Sequence, residues 1–265
     1  MGTTSQLRAP GLLRVYALEV HAVQHCNLRC VGCAQSSPTL AKGYEQPAVL
    51  ERALANLAPH LACEKLQILG GEPLLHPRIV DILTVAVRSG LAPKIVVKTN
   101  GLLLHRVPDG FWNLANEVIV SVYPATQDVL SRRRPQLERS ATERGVELIF
   151  RHFAEFQEII APVASRDEAR TQRVYTDCEF KTFTHSIREG RVYRCAPSVN
   201  LVRGRKDLEE HDSLDVLGAE DLQARLQAFL ISPRPLRACA ECLGSSGAVF
   251  SHVMSARAGQ PGARQ

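Results

Sequence analysis

The stretch Cys26-Asn27-Leu28-Arg29-Cys30-Val31-Gly32-Cys33 follows directly on a strand-like run, Val15 to Val23, and puts three thiols within eight residues. Thiols this close together want an inorganic partner. A C-x3-C-x2-C loop can wrap one corner of a cubane iron–sulfur cluster, whose four irons ordinarily take four cysteine thiolates, so three ligands leave one iron open. An open metal position is what separates catalytic from structural sites. A zinc knuckle or plain surface thiols remain the alternative reading of these eight residues.

Outward from this loop the chain alternates. Short β-branched runs at Leu66 to Leu69, Lys94 to Lys98, Val118 to Val122 and Val146 to Phe150 are separated by helical patterns near 47–61, 78–89, 105–114 and 126–143. Repeated βα units predict a parallel sheet, and the strand count predicts an α/β fold with a partial (β/α) TIM-like barrel. Reacting groups of such barrels sit at the C-terminal ends of strands. The cysteine loop, Gly70-Gly71-Glu72-Pro73 and Lys98-Thr99-Asn100-Gly101 each follow a strand directly, so all three are expected at one mouth. From about residue 160 the alternation stops. The predicted organisation is a core over 1–160 that begins with a loose leader to about residue 14, a small second unit over 161–245, and a flexible tail over 246–265.

The chain has 265 residues, 45% of them apolar, and a net charge of +5, enough to bury a full core. The basic residues are scattered apart from Arg132-Arg133-Arg134, which predicts no nucleic-acid partner and only a mild preference for acidic ligands. No run approaches the ~18 apolar residues of a membrane span, and no signal-peptide core is legible at the N-terminus. The expectation is a cytoplasmic protein that does not engage a membrane. Its eight cysteines then read as metal ligands in a reducing compartment rather than as disulfides.

Two glycines let backbone approach a ligand closely, and the carboxylate of Glu72 beside them is able to accept hydrogen bonds from an ammonium group. Asn100 and Ser121 offer polar side chains after the third and fourth strands, although an Asn-Gly turn needs no ligand to explain it. Four cysteines remain in the second unit, Cys178, Cys195, Cys239 and Cys242, and Cys195 follows a hairpin-like Glu189 to Arg194. Four thiols gathered by a compact fold suit structural zinc or a fully ligated iron–sulfur cluster; their chemistry alone favours zinc. Cys63 is left over. It precedes the Leu66 to Leu69 run, seven residues before Gly70 and so roughly 20 Å away at ~3.3 Å per residue, and reads as a buried core thiol.

These residues resemble the radical S-adenosylmethionine (SAM) superfamily. The resemblance implies that Cys26, Cys30 and Cys33 hold a [4Fe-4S] cluster, that its open iron binds SAM, and that Gly70, Gly71, Glu72, Asn100 and Ser121 hold the cofactor. One departure is visible: many members carry an aromatic residue before the third cysteine, and Gly32 stands there, so the adenine wall must come from elsewhere. A Gly-x4-Cys followed by a late C-x2-C is similar to the twitch or SPASM appendage, which implies an auxiliary [4Fe-4S] cluster rather than zinc on Cys178, Cys195, Cys239 and Cys242. Over roughly residues 15 to 243 the order and spacing are similar to the 2-deoxy-scyllo-inosamine dehydrogenases of butirosin biosynthesis.

A fully ligated cluster has no iron free for substrate but accepts an electron. That favours oxidation of a secondary alcohol of a sugar or aminocyclitol-type small molecule to a ketone, in an antibiotic-forming pathway, with an external one-electron reductant such as flavodoxin or ferredoxin. A base for the hydroxyl proton is expected at the mouth. Arg151 and His152, ending the Val146 to Phe150 run, are the candidates; strand alternation turns only one of them inward. His185 and Tyr193 are further ones. Epimerisation, peptide modification and a non-catalytic metal-binding scaffold are the competing readings. Cys63 is too far from the mouth to donate the hydrogen that an epimerase needs.

Overall fold

In the computed structural model, which describes residues 6–9 and 12–255, the strand ahead of the cysteine loop is the hub. A short β1 (Gln6–Ala9) turns back antiparallel onto β2 (Leu12–Val23), so part of the expected loose leader is strand. β2 is buried almost end to end, the signature of a parallel strand covered on both faces. After the loop come α1 (Pro47–Leu57), β3 (Leu61–Gly70), α2 (Ile79–Arg88), β4 (Lys94–Thr99), α3 (Asp109–Trp112), β5 (Glu117–Val122), α4 (Gln127–Glu143) and β6 (Glu147–His152). β2 through β6 pair in parallel. The expected α/β partial barrel is therefore present.

The helices cover the outer face through apolar positions at helical spacing. α2 buries Ile79, Ile82, Leu83, Val85 and Ala86, and each large side chain taken out of water contributes about 1.5–3 kcal/mol. The inner face is polar in layers, because in-register neighbours of a parallel sheet point the same way. Near the strand starts Lys94 bridges Glu117 and Glu147. Higher up Lys98 Nζ donates to Glu19 Oε1 at 3.0 Å. Cys63 is 6% exposed and packs in the core below both.

Beyond β6 lie β7 (Glu155–Gln157), α5 (Glu168–Asp177), β8 (Thr184–Arg188), β9 (Arg191–Tyr193), β10 (Ser213–Asp215) and β11 (Val249–Ser251). β8, β9 and β10 form an antiparallel meander, and β8 also pairs in parallel with β2 from Ala17 to Val20. Strands β8, β9 and β10 thus extend the barrel sheet to nine strands.

The C-terminal stretch also departs from expectation. Its Gly, Ser and Ala content reads as a flexible tail from residue 246, yet β11 pairs antiparallel with β7. Its continuation reaches the cysteine loop: Val31 N–H donates to Val253 O at 3.0 Å and Ser255 N–H to Arg29 O at 2.8 Å. Residues 256–265 of the expected tail lie outside the described residues. The partners of this strand sit some ninety and more than two hundred residues upstream, where local composition carries no signal of them.

Candidate active site

Cys26, Cys30 and Cys33 line one cavity of about 760 Å³ together with Gly70, Gly71, Asn100 and Ser121, at the C-terminal ends of β2 to β5. The loop, the glycine pair and the Asn-Gly turn therefore converge as expected. Sulfur Sγ of Cys26 accepts from Leu28 N–H at 3.3 Å and from Asn100 Nδ2 at 3.6 Å. Burial pushes the Cys26 thiol up to about 11 and Cys30 up to about 12, so neither ionises unaided near neutral pH. A bound cation reverses that preference, because coordination deprotonates a thiol outright. Buried sulfurs with N–H groups aimed at them fit a metal-bound cluster better than they fit free thiols.

Gly70 and Gly71 reach the cavity, but the main reason they are glycines is internal. A Cβ on Gly70 would lie 2.1 Å from Val23 O, and one on Gly71 would lie 2.1 Å from His25 O. Gly71 N–H donates to Val23 O and Glu72 N–H to His25 O, clamping the end of β3 to the start of the cysteine loop. Glu72, the third residue of this motif, lies beneath the turn. It is fully buried, accepts from Leu74 N–H and the Thr99 hydroxyl on Oε1 and from Asn100 N–H on Oε2, and does not line the cavity. Burial pushes its carboxyl up to about 7 against the pull of those three bonds. These bonds hold the Thr99–Asn100 turn against the glycine pair.

Asn100 lines the cavity and donates through Nδ2 to Asn27 Oδ1 at 2.7 Å, which ties the third strand's turn to the cysteine loop. Ser121 faces both this cavity and an adjoining one of about 750 Å³ lined by Gln35, Phe153, Glu155 and Gln157, among others. Tyr123 and Phe156 belong to both. Arg151 and His152 stand outside these two linings. Both are exposed at the end of β6 and line neither cavity; Arg151 pairs with Ser121 in register, but its side chain stays in solvent. His185 is buried with Nδ1 on Arg194 O at 2.8 Å, and Tyr193 is core, its hydroxyl donating to Glu209 Oε1 at 2.6 Å.

The aromatic side chain missing at position 32 has a counterpart elsewhere. Gly32 has φ +65°, and a Cβ there would come 2.3 Å from Cζ of Phe250. The ring of β11 occupies the space a side chain at 32 would need. His252 follows, stacked on Tyr123 at 4.9 Å with Nε2 3.2 Å from Cys30 Sγ. Sequence reasoning missed Phe250, His252 and Phe156. The apolar spacing in Val249-Phe250-Ser251-His252-Val253 is the signal it had.

The remaining four cysteines also meet. Cys178, Cys195, Cys239 and Cys242 line a second, narrow pocket with Tyr175 and Arg194. Burial pushes Cys239 up to about 12 and raises Cys195 and Cys242 as well. Gly244 N–H donates to Cys242 Sγ at 3.3 Å. The turn that carries Cys239 (Arg237–Glu241) is anchored by Asp212, fully buried, which accepts from Arg237 N–H and Ala238 N–H. Lys181 donates to the carbonyls of Tyr175, Thr176 and Cys178 at the end of α5. Among the described residues no three His, Cys, Asp or Glu side chains are drawn in around a single-ion position.

The model of the radical SAM superfamily matches residues 21–159, which is more than half of the chain and contains the three-cysteine cavity. The chain belongs to the radical SAM superfamily. Among curated relatives, GTP 3′,8-cyclase of Microcystis aeruginosa is 25% identical over 138 residues, 49% of this chain and 42% of that protein. The enzyme of the same name from Geobacter sulfurreducens is 39% identical over 98 residues, 34% of this chain and 28% of that one. The chain thus spans less than half the length of the curated relatives it matches. Among solved structures, BtrN in complex with AdoMet and 2-DOIA superposes with a TM-score of 0.53, covering 86% of this chain and 92% of that one at 12% identity. At that identity the likeness is one of fold.

Proposed function

We propose that this radical SAM protein oxidises a secondary alcohol of a sugar or aminocyclitol-type small molecule to a ketone. The observation that carries the reading is the pair of thiol-lined cavities, three cysteines beside Gly70-Gly71 in one and four in the other. A [4Fe-4S] cluster and SAM in the first would supply a 5′-deoxyadenosyl radical that removes a hydrogen atom from the carbinol carbon, and a second cluster would take up the electron released as the hydroxyl proton leaves.

Cys26, Cys30 and Cys33 would hold the first cluster, and Cys178, Cys195, Cys239 and Cys242 would ligate the auxiliary one. Backbone of Gly70 and Gly71, with Asn100 and Ser121, would border SAM, and Lys98 and Glu19 add polar groups to the lining of the same cavity. Substrate would occupy the adjoining cavity, which Tyr123, Phe153 and Phe156 line together with the carboxylate of Glu155. Glu155, which lines this cavity, joins Arg151 and His152 as a candidate base. Epimerisation lacks a hydrogen donor here, since seven cysteines line the two cavities and Cys63 is buried below them. Polyhydroxylated substrates, a cytoplasmic setting and an external flavodoxin- or ferredoxin-type reductant complete the reading. No helix among the described residues is long and apolar enough to cross a membrane.

Anaerobic reconstitution with iron and sulfide counting tests it: about eight irons per chain are expected from two cubanes, and about four with one zinc sinks the auxiliary-cluster assignment. Incubation with SAM, reductant and aminocyclitols in deuterated water should yield 5′-deoxyadenosine and a ketone. Recovery of an epimer with deuterium at carbon would replace oxidation by epimerisation.

A further inference from the structure

We propose that His252, carried on the strand that crosses the cysteine loop, is a positioning residue that donates a hydrogen bond to the Cys30 thiolate and thereby raises the reduction potential of the cluster held there. The inference rests on the radical-generating cluster of the proposed function. Backbone pairing fixes this strand on both sides: His252 N–H donates to Ala154 O at 2.8 Å, while Val31 N–H donates to Val253 O at 3.0 Å. Phe250 is lodged at Gly32, where a Cβ would meet its ring at 2.3 Å. The imidazole itself lies flat on Tyr123, with 4.9 Å between centroids and 15° between planes, and meets Phe156 edge-on at 4.8 Å.

Held this way, Nε2 stands 3.2 Å from Cys30 Sγ. A cluster thiolate only accepts hydrogen bonds, so the tautomer that fits it carries its proton on Nε2. Reduction adds negative charge to the cluster and its sulfurs, and hydrogen bonds to sulfur favour the more negative state. The same contact turns the imidazole into a brace for Cys30, the middle ligand of the loop.

The test is a redox titration of the reconstituted full-length chain, followed by electron paramagnetic resonance with and without SAM. Only the cluster with an open iron responds to SAM, which separates its midpoint from that of the four-cysteine cluster. His252→Phe keeps the stacking and removes the N–H; His252→Gln keeps an N–H donor and removes the ring. The expected result is a midpoint shifted to more negative values in His252→Phe and close to the unsubstituted one in His252→Gln. At the unsubstituted midpoint the reduced fraction of the SAM-responsive cluster should fall from half to about a tenth in His252→Phe, a roughly tenfold change in the oxidised-to-reduced ratio. An unchanged midpoint in His252→Phe, or equal shifts in both variants, overturns the assignment. An unsubstituted chain that assembles no SAM-responsive cluster overturns the proposed function along with it.

Discussion

At Gly32 two constraints meet: a left-handed backbone and the ring of Phe250 in the space of the absent side chain. Gly32→Ala should lose about 1–3 kcal/mol of stability, part from backbone strain and part from overpacking. Phe250→Ala should relieve the second part, so chemical denaturation of both single variants and the double will read a coupling of about 1 kcal/mol if the ring is the obstacle; strict additivity refutes it. Asp212 invites a different measurement. Removing its carboxylate leaves two buried N–H groups unpaired at about 1–3 kcal/mol, and the turn it frees bears Cys239. Asp212→Ala should therefore bind about four irons rather than about eight while retaining SAM cleavage to 5′-deoxyadenosine; full iron content would show that the turn holds without its anchor.

Among the elements, α4 carries a visible cost. Pro135 sits inside the 17-residue helix on its exposed face, where it withdraws one helix hydrogen bond and crowds the preceding turn. Pro135→Ala should stabilise the chain by about 1–3 kcal/mol and leave both iron sites as they are, read by thermal melting and iron analysis. The βα units around it follow from periodic apolar spacing, which is why their order was legible in the sequence, although β3 starts five residues before the expected run and the expected 105–114 helix is only Asp109–Trp112. β7 and β11 were not legible. Three-residue strands have too little pattern to announce themselves, and each is stable only because the other pairs with it.

Across the whole molecule the appended hairpin is stitched to the barrel at Glu45, whose Oε2 accepts the Glu189 N–H at 2.7 Å. Burial pushes the Glu45 carboxyl from 4.5 up to about 7. Between those values the native chain holds the proton more tightly than the unfolded chain, so this group's contribution to stability falls as pH rises through the window. Glu45→Gln should flatten the decline between about pH 5 and 7.5; a variant with the unsubstituted profile would assign the slope to other groups. The ribbon of β7 and β11 is a second stitch. Its strands run from Ile160 opposite Cys242 at one candidate cluster to Met254 opposite Cys30 at the other.

The sequence by itself determined the superfamily, the barrel and the two sets of cysteines, because a C-x3-C-x2-C spacing, a Gly-Gly turn and a βα period are written in neighbouring residues. Only the tertiary structure decided what those residues touch. It turned Glu72 inward onto Thr99 and Asn100, left Arg151 and His152 in solvent, joined β8 to β2, and laid Phe250 and His252 across the cysteine loop. Each of these depends on partners far apart in the chain, or on which face of a strand the assembled sheet buries, and the free energy that selects them exists only once the sheet has closed.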